Sequence, residues 1–74
     1  MKASATLRTA AVFRRNYRKW VSALKLVQAG GMLAWRTEVS RCRTQLGMVI
    51  ENKQERDRSG KVVRSFYRYV RKAA

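Results

Sequence analysis

The chain has no proline, no histidine, one cysteine and four acidic residues among its 74. Each shortage closes off a possibility. A lone cysteine excludes an internal disulfide. Without histidine, the commonest metal ligand and the usual acid–base group near neutral pH are both missing. The acids Glu38, Glu51, Glu55 and Asp57 stand mostly beside cations, and no Ser–His or Cys–His pair can be assembled. Gly30-Gly31 lacks the spaced glycines and lysine of a phosphate-binding loop. No enzyme is expected, and no cofactor or metal. Long apolar runs are missing too: Lys25 interrupts the best one, Val21 to Ala29, far short of the ~20 residues that span a bilayer. A transmembrane helix is not expected.

Positive charge is what the chain has in excess. Eighteen Lys and Arg against four acids give a net charge of +14 and a pI near 11.6. That much like charge repels itself in a compact state of this size. Yet 46% of the residues are hydrophobic, which argues against simple disorder. Both facts fit a chain that folds against a large anionic partner, nucleic acid first and an anionic membrane surface second. Twelve of the eighteen cations are arginine, whose planar fork grips phosphate oxygens in pairs. The first 37 residues hold eight cations and no anion. Phosphate contact is therefore expected of Arg8, Arg14, Arg15, Arg18, Lys19, Lys25, Arg36, Arg41, Arg43, Arg56, Arg58, Arg64, Arg68 and Arg71. Nothing in their spacing points to base-specific reading, so the expected target is the shape and backbone of folded RNA.

The apolar residues recur at helical spacing, and the expected fold class is all-α. Phe13, Tyr17, Trp20, Leu24 and Val27 form one stripe; Met32, Trp35, Val39, Cys42 and Leu46 form a second. These ten residues are the expected packing seam of a helical hairpin turning at Gly30-Gly31. Its first helix spans residues 1–29 and its second residues 32–50. Residues 51–60, without an apolar side chain, form a polar linker, and residues 61–73 a short amphipathic third helix. The whole chain makes one small unit with little independent core. Cys42, on the seam, reads as a small buried hydrophobe; Arg41 and Arg43 beside it leave a redox role as the alternative. Tyr67 and Tyr69 are candidates for stacking on unpaired bases. The opening, Met1 to Arg15, is Arg-rich and acid-free like a mitochondrial targeting segment, or it is the first turns of a basic helix.

The run Arg14-Arg15 through Tyr17-Arg18-Lys19, then Ala29-Gly30 with Leu33, then Arg36, Arg41 and Arg43, resembles the ribosomal small-subunit protein twenty-one family. The family's usual form has shorter helices and a Tyr-Glu-Lys-Pro-like stretch; here proline is absent and Ile50 replaces the tyrosine. The resemblance implies a helical protein whose Arg14, Arg15, Arg18, Arg41, Arg43, Arg56 and Arg58 contact ribosomal RNA. The expected function is thus architectural: a ribosomal protein binding rRNA beside neighbouring ribosomal proteins, located in the mitochondrial matrix. The competing expectation is a basic accessory subunit of an inner-membrane respiratory or ATP synthase complex, lying on the membrane surface. A nucleoid-type DNA binder is the third.

Overall fold

A computed structural model describes residues 4–73. Its elements are helix α1 (Ala5–Arg15), strand β1 (Val21–Ser22), helix α2 (Ala23–Gly30), helix α3 (Trp35–Gln45), and strands β2 (Met48–Arg56) and β3 (Val62–Lys72). The strands form one antiparallel sheet in the order β1-β3-β2. The protein is therefore mixed α/β, and the all-α expectation is overturned. Residues 1–3 of the targeting-like opening lie outside the described residues.

Three causes account for the correction, the first of them long-range. The first helix stops at Arg15 instead of running to residue 29. Asn16 folds its side-chain amide back onto the Val12 carbonyl (2.8 Å), and Arg18 takes a left-handed backbone at φ 63°. The Arg18 N–H then donates to the Tyr69 carbonyl (2.9 Å), and Val21 and Ser22 pair with Tyr67 and Phe66. A distant strand thus captures the segment that local periodicity assigned to a helix.

The second helix ends before residue 50 because Gly47 adopts φ 64°, a conformation cheap for glycine and costly for other residues. Met48, Val49 and Ile50 start a strand, as two β-branched residues in three favour. The polar segment 51–60 is no linker: residues 51–56 complete β2 and the rest is the turn of a β-hairpin. Residues 61–73 are not a helix either. Six of the nine residues from Val62 to Val70 are Val, Phe or Tyr, the composition that suits a pleated surface.

The core lies between the helices and one face of the sheet. Phe13 from α1, Val21, Leu26 from α2, Trp35, Val39 and Cys42 from α3, and Met48 and Ile50 from β2 are all buried in it. Tyr67 and Tyr69 of β3 close it from the sheet side, Tyr67 edge-on to Trp35 with ring centroids 5.7 Å apart. α1 packs on both α2 and α3. Where α2 meets α3, a Cβ on Gly30 would stand 3.1 Å from Thr9 Oγ1 and 3.2 Å from Trp35 Cα, so glycine lets the helices close. The seam residues divide. Phe13, Trp35, Val39 and Cys42 are in the core, and Val27 and Leu46 half-buried against it. Tyr17 lies edge-on to Tyr69 while 44% exposed, and Trp20 sits half-buried under cations. Leu24 (66% exposed) and Met32 (77%) face solvent, because α2 is too short and α3 too late to keep them on a common stripe.

Candidate nucleic-acid interface

Two helices joined by four residues, Gly31 to Ala34, precede a β-hairpin whose turn is entirely exposed. The orientation of α3 follows from what it buries. Trp35, Glu38, Val39 and Cys42 point inward, at spacings of three, one and three. The outward face then carries Arg36, Thr37, Ser40, Arg41 and Thr44, with Arg43 and Gln45 at its flanks. Glu38, the only acid before residue 51, is 3% exposed. It accepts a short hydrogen bond from the Thr6 hydroxyl of α1 and an ion pair from Arg41 Nη1 at 2.8 Å. The exposed face of α3 therefore offers cations and hydroxyls, and no carboxylate.

Each arginine of α3 is seated differently. Arg36 lies against the Trp35 ring, 5.2 Å from its centroid. Arg41 keeps half of its side chain exposed while held by Glu38. Arg43 donates to the Ile50 carbonyl (2.9 Å), which ties α3 to the base of β2.

The hairpin is a built structure. Asp57 Oδ1 accepts from the Ser59 N–H (2.9 Å), the Ser59 hydroxyl (2.6 Å) and the Lys61 N–H (3.0 Å). Those hydrogen bonds, led by the Ser59 hydroxyl, hold the Asp57 carboxyl below its ordinary range. Arg56 Nη1 closes the turn onto the Gly60 carbonyl (2.9 Å). Arg58 and Lys61 stand exposed at the tip. The hairpin meets α3 at one groove, to which both Arg36 and Arg64 contribute.

The remaining expected contacts are scattered. Arg8, Arg14 and Arg15 lie on α1, and Arg8 Nε donates to the Ala29 carbonyl (3.0 Å). Arg15 and Lys25 share a polar cleft between the end of α1 and α2. Arg18 and Lys19 occupy the turn before β1, Arg18 near the Tyr17 ring. Arg68 lies 4.4 Å from the Trp20 ring centroid and pairs with Glu51, Nε to Oε1 at 3.0 Å; Lys53 approaches the same ring at 4.6 Å. Arg71 is near the end of β3. Tyr67 and Tyr69 serve the core and Tyr17 rather than standing free for bases. Cys42 is buried, and burial first, then the Glu38 carboxylate, pushes its thiol up, partly opposed by Arg14.

Of the expected contacts, Arg36, Arg41 and Arg43 lie on α3 and Arg56, Arg58, Arg64, Arg68 and Arg71 on the hairpin, with Arg36 and Arg64 lining one groove; the α1 and α2 cations lie on other elements. Thr37, Ser40 and Thr44 lie on the exposed face of α3 beside Arg36 and Arg41. Sequence reasoning passed over them because hydroxyls carry no charge signal; their position opposite the buried positions of α3 was the only cue. Among the described residues no helix is long and apolar enough to cross a membrane, and no three His, Cys, Asp or Glu gather at one point. Comparison with protein-family models, curated proteins and solved structures gives no match for the chain.

Proposed function

We propose that the protein is a winged helix-turn-helix module that binds duplex DNA, with α3 as the recognition helix and the β2–β3 hairpin as the wing. The order helix, short strand, helix, turn, helix, hairpin, with β1-β3-β2 pairing, supports this reading. The observation that carries it is the burial of Glu38, which leaves the outward face of α3 free of negative charge. A helix with its side chains measures ~10–12 Å across and the major groove of B-DNA ~12 Å, so α3 fits one groove. Arg36 and Arg41 supply forks for phosphate or guanine, and Thr37, Ser40 and Thr44 short hydroxyls for base edges. Arg56, Arg58 and Lys61 on the wing reach the neighbouring backbone. A-form RNA has a deep, narrow major groove that excludes such a helix.

The test is a binding comparison between duplex DNA and duplex RNA of one sequence over a salt series. With about six phosphate contacts, log affinity for DNA falls against log salt with a slope of roughly −5. Equal or tighter binding to duplex or folded RNA would overturn this reading and favour the ribosomal one. A flat salt response would remove both.

A further inference from the structure

β1 is only two residues long. It pairs with Tyr67 and Phe66, and the chain then turns away into α2 at Ala23. β3 continues from Ser65 back to Val62, paired with β2 on one side and, among the described residues, with no strand on the other. A groove of about 580 Å³ lies in the place a longer β1 would occupy. Ala23, Leu24, Trp35, Val62, Val63 and Phe66 give it apolar walls, and Leu24 and Val63 are 66% and 56% exposed. Arg36 and Arg64 line it, and no acid does.

We propose that this groove takes an extended segment of a partner protein, alternating apolar and acidic residues, added to the free edge of β3 as a further strand. Main-chain hydrogen bonds to Val62–Ser65 would hold it, while every second side chain enters the groove and the others meet Arg36 and Arg64. Charge selects the occupant. A second copy of this chain would bring its own Arg64 and Lys61 against the same residues, and like charges on an edge strand discourage self-pairing. An acidic strand meets no such barrier. The groove shares Arg36 with the proposed DNA surface, but the inference rests on the free β3 edge and its test contains no DNA, so the two can fail separately.

The test is an NMR titration of the full chain with a nine-residue peptide alternating Val and Glu. Controls are a Val–Lys peptide and a Val–Glu peptide interrupted by proline. Amide shifts confined to residues 22–24 and 62–66, with slowed amide exchange along Val62–Ser65, are expected for the Val–Glu peptide alone. Leu24→Glu, an exposed position, weakens binding by about tenfold or more, the affinity equivalent of one buried Leu side chain. Arg64→Glu moves the preference toward the Val–Lys peptide. Thermal melting of Leu24→Glu is expected to match the parent chain, and Arg64→Glu, which faces Glu55 across the ladder, is compared at a temperature below its own melt. Equal responses to the three peptides, shifts elsewhere on the surface, or concentration-dependent shifts at the same amides without peptide would each overturn the proposal.

Discussion

The hydroxyl of Thr6 on α1 donates to the carboxylate of Glu38 on α3, and this contact crosses 32 residues of sequence. It satisfies a buried acid inside a chain of net charge +14, fixes α3 against α1, and turns Arg41 outward. Thr6→Val would keep the shape and leave one carboxylate oxygen without its donor. That change is expected to cost about 1–3 kcal/mol, read from urea melts. Thr6→Ser should stay close to the parent chain.

Arg41 is held yet half exposed, so its loss should be felt more in binding than in folding. Arg41→Ala is expected to weaken duplex DNA binding by about tenfold or more, in line with one lost arginine contact. Far-UV circular dichroism should be unchanged. An equal effect from Arg15→Ala, on the opposite cleft, would count against α3 as the recognition element.

Gly30 sits where two helices touch. Alanine there drives its Cβ against Thr9 and Trp35, the latter contact being backbone. Overpacking of this kind costs about 1–3 kcal/mol, and each kcal/mol lowers the melting temperature by about 4–8 °C in a domain this small. Scanning calorimetry on Gly30→Ala checks it.

The hairpin tip should respond to acid. The folded-state carboxyl of Asp57 lies below its ordinary value of 3.8, so the folded tip binds protons less readily than the unfolded one. Its contribution is present above that ordinary value and lost as pH falls through the lower, folded one. Amide protection at Ser59 and Lys61, measured relative to the intrinsic exchange rate, is therefore expected to fall only in that acid window. Asp57→Ala should lack that protection at every pH.

Cys42 should behave as a core residue. Its thiol is buried and raised above its ordinary 9.0, so little nucleophilic thiolate is available in the native state. Alkylation at neutral pH should be slow in buffer and fast in denaturant, tracking the unfolding transition. Rapid native-state labelling would contradict the packing of α3 against α1.

The sequence by itself determined the charge, because the balance of Arg and Lys over acid does not depend on how the chain folds. It also determined the inward side of α3, since Trp35, Val39 and Cys42 keep helical spacing within that one element, and the turn after Gly30. Only the tertiary structure decided the rest. β1 exists because β3 offers it a pairing edge, and nothing local to Val21-Ser22 distinguishes it from a helix. The hairpin was hidden because Glu51 to Arg56 has no alternating apolar face, and Phe66 and Tyr69 also fit a helical spacing. The burial of Glu38 was not legible either, because the Thr6 hydroxyl that satisfies its carboxylate arrives from another helix. Contacts made across tens of residues carry no periodicity, so no window along the chain could contain them.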